Sequence, residues 1–182
     1  PQQFKNAENL WISLKKFVKT GDFTLGKELS IFENKFANLM NCKFAVGVNS
    51  GTDAIKLSLV ALGIKPGDEI ITCANTFVAT VGAITEIGAK PVFVDCDDTF
   101  CIDVNLIEKK ITKKTKAIIC VSLFGNTPNI GKINKIAKKY KLPVIEDAAQ
   151  SFGANYKNMK SGNLTTIGCT SFFPSKPLGS YG

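Results

Sequence analysis

The sequence predicts an α/β fold, a mostly parallel sheet flanked by helices, from three observations. From Phe44 onward, short apolar runs of strand length alternate with stretches of helix length. The runs, such as P-V-F-V-D and A-I-I-C-V, are short, and their alternation with helices implies a largely parallel sheet with helices on both faces. No linker, low-complexity tract or internal repeat interrupts the 182 residues, which at 45% hydrophobic and 21% charged suffice for one ordinary core.

Two amphipathic helices precede the alternation. Residues 4–18 carry Leu10, Trp11, Leu14, Phe17 and Val18 at helical spacing, and Gly21-Asp22 marks the turn that ends them. Residues 27–40 carry Leu29, Phe32, Phe36 and Leu39 on one stripe. Both stripes read as core or subunit contact. The first predicted strand is F-A-V-G-V (44–48), followed by N-S-G-T-D-A and a helix, with G-I-K-P-G-D (63–68) as the turn that closes this unit. The strand E-I-I-T-C (69–73) leads into a helix within T-F-V-A-T-V-G-A-I. P-V-F-V-D (91–95), A-I-I-C-V (117–121) and L-P-V-I-E (142–146) complete the strand series, with helices near 105–111 and 130–140 between them.

Composition removes several kinds of chemistry. All 23 basic residues are Lys, there is no Arg, and the net charge is +8. Without Arg the chain has no planar fork for a phosphate, a base edge or a substrate carboxylate. The lysines of K-I-N-K-I-A-K-K-Y-K (132–141) read as a solvated helix face; a nucleic-acid binder would need the basic residues on one continuous surface. The absence of His removes Ser-His-Asp and Cys-His mechanisms. With no C-x-x-C pair among the six cysteines, it also argues against a zinc site and for reduced, buried thiols. No apolar run approaches the roughly 20 residues that span a bilayer, and the first residues lack a secretory pattern, so a cytoplasmic protein is expected. The chemistry left to this chain uses Lys, carboxylates or a cofactor.

In open α/β sheets ligands bind beyond the carboxyl ends of the strands, and four stretches there hold candidate residues. Ser50-Gly51-Thr52 opens a helix, where free N–H groups, a hydroxyl and a glycine make a small phosphate cup; the same triplet is an ordinary helix N-cap. Phe77, after the second strand, is placed to stack on a flat ring or to start a helix as a core residue. In E-D-A-A-Q (146–150), Asp147 ends a buried strand and calls for a cation or a donor, and Gln150 would reach the same ligand from a helical turn; a plain helix cap is the alternative. The fourth stretch, T-S-F-F-P-S-K-P-L-G-S-Y-G (170–182), sets Lys176 between Pro174 and Pro177 with Phe172, Phe173 and Leu178 around it. An apolar setting favours the neutral amine, the nucleophilic form of lysine, and the prolines fix its direction. A surface loop with two turn prolines is the plainer reading.

Phosphate cup, stacking aromatic, buried carboxylate and activated lysine together suit pyridoxal 5′-phosphate. In this order, through N-S-G-T-D-A, G-I-K-P-G-D-E-I-I, T-F-V-A-T, G-A-K-P-V-F-V-D, V-I-E-D-A-A-Q-S-F-G-A and S-F-F-P-S-K-P-L-G, the chain resembles the DegT/StrS family of sugar-nucleotide aminotransferases. That family belongs to the fold-type-I, aspartate aminotransferase-like group. The resemblance implies Lys176 as the Schiff-base lysine and proton shuttle, Asp147 on the pyridine nitrogen, Gln150 on the ring hydroxyl, Phe77 on the ring face, and Gly51, Thr52 and Ser171 on the phosphate. It implies transfer of an amino group, usually from glutamate, to a keto-sugar nucleotide, in amino-sugar and surface polysaccharide biosynthesis, by a homodimer. Relatives that dehydrate sugars carry His in place of the lysine.

Two departures accompany the match. The family often has His and Tyr-Gly where this chain reads V-S-L-F-G, with Ser122 and Phe124. The family also continues past the lysine through a G-D-G-G turn into a strand that runs antiparallel and inserts between strands from earlier parts of the chain, then into a small C-terminal domain. Residues 1–182 are therefore expected to be the N-terminal part of the cofactor-binding large domain, an N-terminal fragment. A catalytically silent remnant that keeps part of the cofactor site is the alternative.

Overall fold

A computed structural model describes residues 7–180, in two compact units that divide between Gly47 and Val48. The first unit holds two helices. α1 (Glu8–Thr20) ends at Gly21, whose φ of 68° is the left-handed geometry that glycine adopts without a Cβ penalty; its N–H caps the Val18 carbonyl. The start expected at residue 4 lies outside the described residues. α2 (Lys27–Met40) matches its expected bounds and buries Ala37 and Met40.

The second unit runs α3 (Gly51–Ala61), β1 (Glu69–Cys73), α4 (Val78–Glu86), β2 (Lys90–Val94), α5 (Val104–Lys110), β3 (Thr115–Val121), α6 (Ile130–Tyr140), β4 (Val144–Asp147), a small antiparallel hairpin of β5 (Asn155–Tyr156) and β6 (Met159–Lys160), and β7 (Ile167–Cys169). Five strands form one sheet in the order β2-β1-β3-β4-β7, every pair parallel, as the alternation of strands and helices predicts.

Strand alternation sends successive side chains to opposite faces, and each face has its own core. On one face Ile71, Ile118, Cys120 and Val144 pack with Ile107 of α5 and Ile130 and Ile133 of α6. On the other, Ile70, Ile119 and Ile145 pack with Ile55 and Leu59 of α3 and Ile84 of α4. The lysine-rich α6 buries Ile130, Ile133 and Ala137 and exposes Lys132, Lys135, Lys138 and Lys139, the solvated face that the sequence suggests. Cys73, Cys101, Cys120 and Cys169 are buried free thiols.

One predicted strand is absent. Residues 44–48 belong to no strand, and Phe44 and Val46 are 74% and 77% exposed. The apolar alternation is real, but a strand exists through its ladder, and the Gly47 N–H instead donates to Glu33 Oε1 at 2.7 Å. Conversely β7 is a strand that the sequence reading passed over, only three residues long and recruited by pairing with β4.

Candidate active site

The site grows from the carboxyl end of β4, where the acidic pair Glu146-Asp147 points to opposite faces. Glu146 is fully buried and accepts from Ser122 Oγ at 2.8 Å, Ser161 Oγ at 2.5 Å, and the N–H groups of Gly162 and Leu164 at 2.8 and 3.3 Å. A carboxylate ringed by donors in this way needs no counter-ion to stay buried. It ties the loop after β6 to the sheet.

Asp147, on the α3/α4 face with Ile145, is 6% exposed. Its Oδ2 accepts from Thr80 Oγ1 at 2.7 Å and its Oδ1 from the Ala149 N–H at 3.2 Å. Burial pushes this carboxyl above its ordinary value, while Thr80, the Ala149 N–H and the charge of Lys176 pull it back. Burial prevails, so the group is short of positive charge. A bound cation would relieve that shortage.

Lys176 sits in a loop closed by two backbone hydrogen bonds, from its own N–H to the Phe173 carbonyl at 2.8 Å and from the Ser180 N–H to the Phe172 carbonyl at 2.9 Å. Its ammonium lies 5.5 Å from the centroid of the Phe77 ring, a cation–π distance. Phe77 is 59% exposed, so it is the N-cap of α4 but not a core residue. The apolar packing expected around Lys176 is not what the described residues make. Lys176 is half-buried, while Phe173, Pro174, Pro177 and Leu178 are exposed. Prolines and aromatics in a sequence signal a stiff segment, and burial depends on what lies over it.

At the start of α3, Ser50 is the N-cap, accepting from the Asp53 N–H at 3.0 Å, so the cap reading of the triplet holds for this residue. Gly51 has a different reason to be glycine: a Cβ there would come within 2.9 Å of Ser171 Cβ. Gly51 and Ser171 are thus brought into contact from opposite ends of the second unit, with Thr52 beside them in the first turn of α3. Ser171 Oγ accepts from the Phe173 N–H at 3.3 Å.

Gln150 lies in a turn, not the helical turn the sequence suggested, and its Oε1 accepts from the Phe124 N–H at 3.1 Å. With the oxygen engaged, the amide nitrogen is the donor available for a ligand. The structure therefore joins Lys176 to Phe77, Asp147 to Thr80, and Gly51 to Ser171, all around the carboxyl side of the sheet. Thr80 and Glu146 were not singled out from the sequence. The spacing of Thr76 and Thr80 in T-F-V-A-T, four apart at a helix start, is a signal that could have found the first.

Comparison with known proteins gives this arrangement its kin. The DegT/DnrJ/EryC1/StrS aminotransferase family matches residues 5–182. The chain belongs to that family. Among relatives in it, a UDP-2-acetamido-2-deoxy-3-oxo-D-glucuronate aminotransferase of Pseudomonas aeruginosa is 47% identical over all of this chain and 51% of its own length. The chain thus spans about half the length of the curated relatives it matches. Among solved structures, DesV of S. venezuelae in complex with a ketimine intermediate superposes with a TM-score of 0.96 at 36% identity, over 100% of this chain and 49% of that one. NtdA of Bacillus subtilis with bound cofactor PMP superposes with a TM-score of 0.91 at 40% identity, over 97% and 40%. The parallel sheet with helices on both faces is the aminotransferase fold of these DegT/DnrJ/EryC1/StrS structures.

Proposed function

We propose that the full-length protein carrying this chain is a pyridoxal phosphate-dependent aminotransferase that moves an amino group from an amino acid, glutamate in the first instance, to a keto-sugar nucleotide for amino-sugar and surface polysaccharide synthesis. In this reading residues 1–182 are the N-terminal part of its cofactor-binding large domain, a small C-terminal domain follows, and the active form is a cytoplasmic homodimer. No helix among the described residues is long and apolar enough to cross a membrane.

The observation that carries the reading is the buried Asp147 carboxylate, raised by burial and drawn on by the charge of Lys176, near the ammonium that stacks on Phe77. The residues fit the cofactor. A protonated pyridine nitrogen is the cation that Asp147 lacks, and the flat ring suits the exposed face of Phe77. The phosphate suits the start of α3, where Gly51 leaves the space against Ser171 that a Cβ would fill, and Thr52 and Ser171 offer hydroxyls. Gln150, its Oε1 already taken by the Phe124 N–H, would donate an amide N–H to the ring hydroxyl.

When bound, the cofactor supplies an electron sink that stabilises negative charge on the carbon losing its proton. The chain does the rest. Lys176 would hold the cofactor through Nζ and, with its amine free, would carry a proton at that same atom. Asp147 would keep a proton on the ring nitrogen, and Phe77 would offer its face to the ring.

The test is conversion of the bound aldehyde to the amine form by glutamate, followed by its return on addition of a UDP-linked 3-keto sugar acid, read by absorbance on the full-length protein. Conversion in both directions is the expected result. No conversion with any amino acid would remove the aminotransferase reading.

A further inference from the structure

We propose that Thr80, backed by Thr76, is a positioning residue that holds Asp147 ionised and aimed at its cationic partner; this rests on the reading of the site as a pyridoxal phosphate site.

Proton counting fixes the direction of this chain of groups. An ionised carboxylate only accepts, so the 2.7 Å contact with Asp147 Oδ2 consumes the single hydroxyl proton of Thr80. The 2.8 Å contact between Thr76 Oγ1 and Thr80 Oγ1 must then be donated by Thr76. The hydrogen bonds run one way, from Thr76 through Thr80 to the carboxylate, and each polarises the next. Thr80 is fully buried, so its hydroxyl has no exchange with water to weaken that order. Burial favours the neutral acid at Asp147, and the donor fixed on Oδ2 is the first of the groups that oppose it, with the Ala149 N–H and the charge of Lys176 beside it.

The same helical turn carries the ring contact. Phe77 is the N-cap of α4, and the Thr80 N–H donates to the Phe77 carbonyl at 3.1 Å. One turn therefore sets both the ring that faces Lys176 and the hydroxyl that faces Asp147. Val at position 80 has nearly the shape of Thr and no proton to give; Ser has the proton and lacks a methyl.

The experiment compares full-length wild type, Thr80→Val, Thr80→Ser and Thr76→Val for binding of two probes, pyridoxal 5′-phosphate and its 1-deaza analogue, in which carbon replaces the ring nitrogen. Loss of a hydrogen bond to a charged group should weaken binding of the natural cofactor about 10-fold in Thr80→Val and about 3-fold in Thr76→Val. Thr80→Ser should bind within about twofold of wild type, and the deaza analogue, having no cation for Asp147, should bind all four proteins alike. Equal weakening for both probes in Thr80→Val would make Thr80 a packing residue and overturn the proposal, as would wild-type affinity for the natural cofactor in that variant. Failure of wild type to bind either probe would instead defeat the underlying cofactor reading, and is thereby told apart.

Discussion

Lys176 is the amine that the described residues bring to the candidate site, and its assignment can be tested by chemistry at one atom. Borohydride reduction of the full-length protein with pyridoxal phosphate, followed by peptide mass mapping, should place the cofactor on Lys176. Label on any of the other lysines would send the role elsewhere. Asp147 makes two opposed predictions. With cofactor, Asp147→Asn should retain partial binding but lose transamination by about 100-fold or more, since the ring nitrogen loses the anion that keeps it protonated. Without cofactor the sign reverses. Burial raises the Asp147 carboxyl above its ordinary 3.8, so the native state holds this proton more tightly than the unfolded chain does. Its contribution to stability is complete below that ordinary value and is lost as pH rises through the native one. Cofactor-free Asp147→Asn should accordingly melt above wild type at pH 7, with the gap closing as pH falls towards 3.8. A lower melting temperature at pH 7 would show that the ionised carboxylate is stabilising by itself. Gly51→Ala meets Ser171 Cβ at 2.9 Å, a contact that backbone must yield to, and should weaken phosphate-bearing cofactor by about 10-fold while leaving pyridoxal, which has no phosphate, little changed.

Among the elements, β4 shows what a sequence can disclose and where it stops. The strand-end rule pointed to V-I-E-D, and a buried acid at that place needs a partner, which is why Asp147 was legible. Its donor Thr80 lies 67 residues away on α4, and no local pattern links the two. Glu146 carries the same signal as Asp147, one residue earlier, yet its partners come from Ser122, Ser161 and two backbone N–H groups of a loop without regular structure. Those partners give it a structural assignment: Glu146→Ala would orphan buried donors on both sides of the loop. At about 1–3 kcal/mol for each orphaned donor, the loss should be about 3 kcal/mol or more, read as a lower urea midpoint of the full-length protein with unchanged m-value. Helices were the easier elements. α2 ends on the left-handed Asn41, α6 starts on an Asn129 cap, and both carry their own periodicity, whereas residues 44–48 show the period of a strand and still form none, because pairing is decided by a distant segment.

At the scale of the whole molecule, the surface of residues 7–180 bears apolar groups that a self-sufficient domain would cover. Phe44 and Val46 stand exposed in an extended stretch, Phe93 is 45% exposed on β2 at one edge of the sheet, and Phe173 is 61% exposed beside Lys176. Apolar alternation without a ladder and an open strand edge are each a template for pairing with other chains. Backbone groups buried without partners cost about 1–3 kcal/mol each, so a few of them cancel most of the roughly 5–15 kcal/mol that stabilises a domain. Residues 1–182 expressed by themselves should therefore be aggregated or melt without cooperativity, and should convert little cofactor with glutamate even though Lys176 is present. Light scattering after gel filtration, a thermal melt and the glutamate half-reaction measure all three, with the full-length protein as the reference. A monodisperse, cooperatively melting and active 182-residue polypeptide would mean that the exposed strand edges and apolar surface are tolerated without a cover, and that the site needs no second copy or further segment to work.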